Sequence, residues 1–344
     1  MINKLFQEPC LDTLKRMPNN FLDCVITSPP YWQLRDYGYE GQWGLEPTFQ
    51  GYLEHLWSMM DEIYRVLKPQ GTCWINLGDT YHTHGCGSKK STHNFQGAET
   101  ATINGIGTIK KPLGDLPEKC LLLIPHRFAI GCIDLGWIMR NDCIWAKRNG
   151  MPESVTDRFT KKHEYFFFMV KSEKYFFDLD AIRKPLAQSS IQRLNQNIEQ
   201  QNGSDRVPNK SNGNMKAVGK TKIPVDGCEG YGSPRARNNR EDTTVSEGNY
   251  LGSNPGSVSD FWDIPTKPSK EKHYASYNDS LLVKPVLAGC PEGGIIYDPF
   301  MGTGSTAEVA IRSNRNFIGS EMSAEYCKIA NDRLMPFLTS PKLF

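Results

Sequence analysis

The sequence predicts an α/β fold, a largely parallel twisted sheet with helices on both faces, broken by an irregular inserted region. Three stretches predict it. Leu22-Asp23-Cys24-Val25-Ile26 is a short apolar run that reads as a buried strand, and it passes directly into Thr27-Ser28-Pro29-Pro30-Tyr31-Trp32. Residues 49–68 carry Leu53, Leu56, Trp57, Met60, Ile63, Tyr64 and Leu67 at steps of three and four, so one helix face packs on a sheet. Near the other end, the run Gly294 to Asp298 is a strand entering a glycine turn, followed by a helix with Ala307, Ala310 and Ile311 on one face. Asn316 to Glu321 then reads as a second strand, ending in an acid.

The Pro-Pro corner carries chemistry of its own. Two prolines fix their φ angles, remove two donors and push the residues before them into extended geometry, so the turn is stiff and nearby carbonyls lack local partners. A flat heteroaromatic amine could stack on Tyr31 while its amino hydrogens meet the Ser28 hydroxyl and the Pro29 carbonyl. Two acceptors on one amino group pull its nitrogen toward tetrahedral and free a lone pair for attack. A Pro-Pro-Tyr corner alone is equally a strand-ending turn. A partner motif is what singles it out.

That partner is Asp298-Pro299-Phe300-Met301-Gly302-Thr303-Gly304-Ser305-Thr306. The turn lacks the third glycine of a dinucleotide fingerprint, and Asp-Pro-Phe is not a phosphate cradle. Glu321 lies 17 positions after Gly304, near the offset at which an acid meets ribose hydroxyls in nucleotide-binding βαβ units. The pattern suits a nucleoside with an amino-acid tail rather than a pyrophosphate.

Ser28-Pro29-Pro30-Tyr31 and Phe300-Met301-Gly302-Thr303-Gly304 resemble the two signature motifs of the amino-methylating DNA methyltransferases. In that family (Asp/Asn/Ser)-Pro-Pro-(Tyr/Phe) is catalytic and Phe-x-Gly-x-Gly binds S-adenosylmethionine. The order here, catalytic motif first, resembles the permuted beta group, and the resemblance covers most of the chain apart from its middle. It implies a Rossmann-like methyltransferase fold, S-adenosyl-L-methionine as cofactor, no metal, and double-stranded DNA as substrate through base flipping. Ser28, Pro29, Pro30 and Tyr31 are then the catalytic set, and Asp298, Phe300, Gly302, Thr303, Gly304, Thr306 and Glu321 the cofactor set. A cognate restriction endonuclease and a second copy of the chain are the further candidate partners.

In this family serine at the first motif position is commoner in enzymes acting on the cytosine amino group, and aspartate in those acting on adenine. Ser28 therefore favours N4 of cytosine, with N6 of adenine the alternative, since both side chains accept an amino hydrogen. An RNA base or a protein glutamine is a more distant alternative, against which the long basic insert favours a duplex. Methylation of a cytosine ring carbon needs a cysteine nucleophile, and Cys10 precedes an ordinary helix instead of following the catalytic strand. An inactive DNA-binding relic is disfavoured because Ser28, Tyr31, Gly302, Gly304 and Glu321 are all intact.

At 344 residues and a net charge of +2, the chain has room for one large α/β domain plus an insertion, and any nucleic-acid affinity must come from local basic patches. Its ten cysteines include no Cys-x-x-Cys pair, which matches buried thiols in a reducing cytosol, not a zinc ribbon. No apolar run approaches membrane-spanning length, so a soluble, cytoplasmic protein is expected.

Taken in order, residues 10–17 read as a short helix closed by Pro18-Asn19-Asn20. Gln33 to Tyr39 is a polar, aromatic loop expected to close over a flipped base, with Arg35 and Tyr37 as DNA contacts. Lys68-Pro69-Gln70-Gly71 stops the long helix, and Thr72 to Leu77 is the next strand, ending at Asp79. Residues 82–118 lack apolar period; His82, His84, Cys86 and His93 match no metal template, while Lys89 and Lys90 are placed on phosphates. A helix is expected over 118–135, then strands over 137–145 and 163–170. Tyr165-Phe166-Phe167-Phe168 should alternate between faces and be largely buried, forming an aromatic hairpin with Tyr175-Phe176-Phe177.

Composition changes after Pro185. Residues 187–260 are polar and basic, and read either as a disordered linker or as a target-recognition insert in which Arg235 and Arg237 meet DNA. The expected division is thus 1–186, the catalytic half; 187–260, the insert; and 261–344, the cofactor half, whose helix 279–288 leads through a Gly-Pro-rich turn into the cofactor strand.

Overall fold

The computed structural model describes residues 1–82, 116–150, 153–183, 258–266 and 278–339. The described elements run β1 (Lys4–Phe6), α1 (Cys10–Arg16), β2 (Leu22–Thr27), α2 (Phe49–Val66), β3 (Leu67–Leu77), α3 (Ile124–Asp134), β4 (Ile138–Ala146) and β5 (His163–Val170). After them come β6 (Phe261–Asp263), α4 (Asp279–Gly289), β7 (Ile295–Asp298), α5 (Ser305–Arg312), β8 (Asn316–Ser320) and α6 (Ala324–Thr339). All eight strands join one sheet in the order β1-β8-β7-β2-β3-β5-β4-β6. β5 alone runs against both of its neighbours.

Alternation within the strands builds the layers. Val25 of β2 enters a core with Leu14, Leu56 and Phe128 from α1, α2 and α3. Cys24 and Ile26 enter the opposite core, with Leu282, Ala307 and Leu334 from α4, α5 and α6. The aromatic strand obeys the same rule. Phe167 lies with the first group, while Phe168 stacks on Trp74 at 4.0 Å in the second.

β2 and β7 sit side by side and parallel, with Val25 opposite Tyr297. From this pair the chain winds outward both ways, β2 to β3 and β7 to β8, so the crevice between them is the sheet's switch point, where open α/β folds take their ligands.

Three expectations are corrected. The helix over 118–135 begins only at Ile124, which places Pro125 in its first turn, where a missing N–H leaves no helical hydrogen bond unmade. Ile124, Phe128 and Cys132, four residues apart, form its buried face, and Ile130 and Ile133 are exposed. Lys68-Pro69 does not separate helix from strand. Leu67 is already extended and β3 starts there, its first residues bulging out so that Leu22 faces Leu67 but Cys24 faces Thr72. Tyr175 to Phe177 form no strand, since both edges of β5 are taken by β3 and β4; Phe177 instead stacks on Phe168 at 5.5 Å.

Contacts group Met1–Ile182 with Ser259–Phe344, which together hold the whole sheet; Arg183–Val258 forms a second unit almost entirely outside the described residues. No described helix is long and apolar enough to cross a membrane.

Candidate active site

Because β2 and β7 are parallel neighbours, the turns that leave them open at the same edge of the sheet. They share a cavity of about 470 Å³ lined by Ser28, Pro29, Pro30 and Tyr31 from one turn and by Phe300, Gly302 and Thr303 from the other, with Glu321 beside them. The size is that of a small-molecule site, roughly 300–1,000 Å³.

Asp298 fastens the two turns together. Thr27 at the end of β2 and Thr306 in α5 each donate a hydroxyl to it at 2.6 Å, and the Phe300 amide donates at 3.0 Å. Asp298 and Thr306 are each 1% exposed and neither lines the cavity, so both act as the joint behind it. Burial pushes the Asp298 carboxyl up to about 6, against the pull of those three donors. Replacing Asp298 by alanine orphans buried hydroxyls and an amide and is expected to cost about 3 kcal/mol of stability in urea unfolding. Asp298→Asn keeps an acceptor and removes a buried charge, so it should unfold within about 1 kcal/mol of the native chain at neutral pH.

On the catalytic side, Tyr31 is held by its hydroxyl. Its hydroxyl lies 2.7 Å from Glu164 Oε2 and 3.1 Å from Asn76 Oδ1, and the single proton belongs to the nearer, charged acceptor. Asn76 is oriented by its amide, which donates to the Tyr165 carbonyl at 2.9 Å. Lys147 pairs with the other oxygen of Glu164 and lies 4.3 Å from the Trp145 ring centre. The ring passes so close to Gly78 that a Cβ there would stand 2.6 Å from Tyr31 Cε2. Gly78→Ala should therefore displace Tyr31 and lower turnover about 100-fold, with melting temperature shifted by only a few degrees; displacements of this order carry such penalties.

On the glycine side, Glu321 follows β8 and turns its carboxylate toward the cavity. Its Oε2 accepts from the Gly302 amide at 2.9 Å and its Oε1 from the Ser323 amide at 2.8 Å, which leaves lone pairs on both oxygens for a diol. Burial raises its pKa from the ordinary glutamate value, against the two amide donors. Gly302 has φ +53 with open space where a Cβ would be, whereas Gly304, at φ +86, would bring a Cβ within 3.1 Å of Ala330 on α6. Gly302 thus faces the cavity and Gly304 permits close helix packing. Phe300 supplies an aromatic wall, backed by Trp43 at 5.5 Å.

Arg35 and Tyr37 also line the cavity. The loop that carries them meets the glycine-turn half, Tyr37 packing edge-on to Tyr326 at 6.5 Å. Lys89, Lys90, Arg235 and Arg237 lie outside the described residues. His82 turns its Nδ1 to the Pro117 carbonyl at 3.1 Å, and no group of three or more His, Cys, Asp or Glu among the described residues could hold a metal. Cys10 lines the cavity, but burial pushes its thiol up to about 12, which leaves no thiolate to act as nucleophile.

Asn76, Lys147, Glu164 and Trp43 line the cavity without having been singled out in the sequence. A signal existed for one of them: Glu164 is the one acid in the strand His163–Val170, directly before a run of aromatic residues.

Comparison with known proteins gives a consistent neighbourhood. A family model described as DNA methylase matches residues 22–332. The type II methyltransferases M.XycI of Xanthomonas campestris pv. cyanopsidis and M.Cfr9I of Citrobacter freundii are each 32% identical to the chain, covering 96% of it and 87% of their own length. Among solved structures, PvuII DNA methyltransferase (cytosine-N4-specific) superposes with a TM-score of 0.57 at 14% identity, over 100% of this chain and 88% of that one. A DNA modification methylase from Thermus thermophilus, complexed with S-adenosyl-L-methionine, superposes with a TM-score of 0.55 at 18% identity, over 98% and 96%. At such identities the two structures speak to the fold.

Proposed function

Since the chain belongs to the DNA methylase family, as an amino-methylating enzyme that uses S-adenosyl-L-methionine, we propose that its target is the N4 amino group of cytosine in duplex DNA. The observation that carries this reading is Ser28, a neutral acceptor at the head of the catalytic turn, opening on the same cavity as the glycine turn. Adenine N6 is the second reading, because Ser28 Oγ and the Pro29 carbonyl would accept the hydrogens of either amino group.

The residues present fit the cofactor. Phe300 offers a flat apolar surface, Gly302 leaves space, and Glu321 holds free lone pairs for ribose hydroxyls. When bound there, S-adenosyl-L-methionine supplies a methyl group on a positively charged sulfur. The chain's part is orientation: the base, flipped from the duplex, stacks on Tyr31 and gives its amino hydrogens to Ser28 and Pro29. Holding nitrogen and methyl carbon in line can supply roughly 7–11 kcal/mol of the barrier, with no covalent enzyme intermediate.

Residues 1–186 then form the catalytic half, 261–344 the cofactor half, and 187–260 the target-recognition insert. What supports the insert is its basic, Asn- and Gln-rich composition, suited to phosphates and base edges. The deciding experiment is direct. Purified protein is incubated with labelled cofactor and mixed-sequence DNA, the DNA is digested to nucleosides, and the labelled one is identified. N4-methyldeoxycytidine is expected; N6-methyldeoxyadenosine would move the assignment to the second reading.

A further inference from the structure

We propose that Glu164 takes up the proton that the target amino group must lose, delivered through Ser28 and Tyr31. The proposal rests on the DNA amino-methylation reading and holds for either base. When the N–C bond to the methyl forms and the C–S bond breaks with its electron pair left on sulfur, the exocyclic nitrogen becomes cationic and must shed one proton. Ser28 Oγ donates toward the Tyr31 hydroxyl oxygen at 3.5 Å, and the Tyr31 hydroxyl donates to Glu164 Oε2 at 2.7 Å. Both protons point the same way, toward the carboxylate. Ser28 Oγ therefore keeps lone pairs for the amino hydrogen, and a proton entering from nitrogen displaces the next two in turn.

The balance closes within the chain of groups. One N–H bond breaks, one O–H bond forms on Glu164, and serine and tyrosine end neutral, as they began. The 3.5 Å step is at the outer limit of hydrogen bonding, and such catalytic contacts tighten when substrate fills the site. Asn76, the other acceptor near Tyr31, presents an amide oxygen that cannot take up a proton at neutral pH. Lys147 holds Glu164 by its other oxygen, which fixes Oε2 toward Tyr31. Phenylalanine, which the motif also admits at the fourth position, would lack the middle oxygen, so the route depends on Tyr31 being a tyrosine.

Glu164→Gln separates proton uptake from mere support. Glutamine keeps its one oxygen on Lys147 and turns its NH2 to the Tyr31 hydroxyl oxygen, whose own proton then goes to Asn76 Oδ1, so the ring stays hydrogen-bonded but the side chain cannot accept the proton. The single-turnover methylation rate at saturating DNA should fall about 100-fold in Glu164→Gln and in Tyr31→Phe, within the range for proton-transfer catalysis. The double variant should be no slower than either single one. Without cofactor, DNA affinity and the fluorescence of 2-aminopurine placed at the target site should stay within twofold of wild type, because flipping and stacking are untouched. A Glu164→Gln rate within threefold of wild type overturns the proposal. So does a double variant slowed by the product of the two effects, or a 2-aminopurine signal that falls with the rate, which would make Glu164 a positioning residue. Should Glu164→Gln not fold, Tyr31→Phe decides alone, and a retained rate overturns the route. A wild-type enzyme that methylates no DNA overturns the function itself, whereas an active wild type with unaffected variants overturns only this route.

Discussion

Tyr31→Ala is expected to lower the rate of methyl transfer about 1,000-fold while leaving the dissociation constant for S-adenosyl-L-methionine within threefold of wild type. Stacking of a base on an aromatic ring is worth about 1–3 kcal/mol, which accounts for one to two powers of ten. A base freed from that face also loses its alignment, and a displacement near 1 Å adds about 100-fold. Part of this overlaps with the stacking loss. The ring lies on the β2 side of the cavity, braced by Gly78 and tied to Glu164, whereas Phe300, Gly302 and Glu321 lie on the β7 side. Single-turnover kinetics and calorimetric titration of the cofactor check both halves of the expectation. If cofactor binding collapses along with turnover, the two turns do not divide the work between them.

Glu321→Ala should do the reverse. Cofactor affinity should weaken about 100-fold, since hydrogen bonds to a charged acceptor contribute about 1.5–3 kcal/mol each, while turnover at saturating cofactor changes only a few-fold. The substitution also strips the Gly302 and Ser323 amides of their acceptor, which loosens the glycine turn. Burial sets the pH dependence. The pKa of Glu321 is raised, so the folded protein holds this proton more tightly than the unfolded chain does. Its ionisation therefore costs stability as pH rises from the ordinary glutamate range through the raised value. Cofactor binding favours the ionised form, with four lone pairs for ribose and backbone donors. Affinity should accordingly fall on acidification at a higher pH than an exposed glutamate would give, and the acid limb should vanish in Glu321→Gln. Isothermal titration across pH 5 to 8, a window that spans the region just above an ordinary carboxylate, tests this.

The sequence by itself determined the fold class and the two turns. Apolar runs of β2 and β7, the helical stripe of α2 and the glycine turn into α5 are local patterns, and each was fixed by neighbours a few residues away. Pro29, Pro30 and the glycines announced the turns because backbone geometry leaves them few other uses. Where local signals were short or competed, boundaries moved: α3 starts only at Ile124, with Pro125 in its first turn, and Lys68-Pro69 joined the strand it was expected to precede. Only the tertiary structure decided what the site residues touch. Asp298 sits inside the cofactor motif, yet its hydrogen bonds run to Thr27, 271 positions away, and to Thr306, so it joins the turns instead of lining the cavity. Glu164 reaches Tyr31 because β5 runs antiparallel beside β3, carrying its first residues back to the edge where β2 ends, and Lys147 meets Glu164 there from the end of β4. Periodicity records which face of an element is buried. It carries no record of which distant side chain will fill the space opposite, since that partner is chosen by strand order.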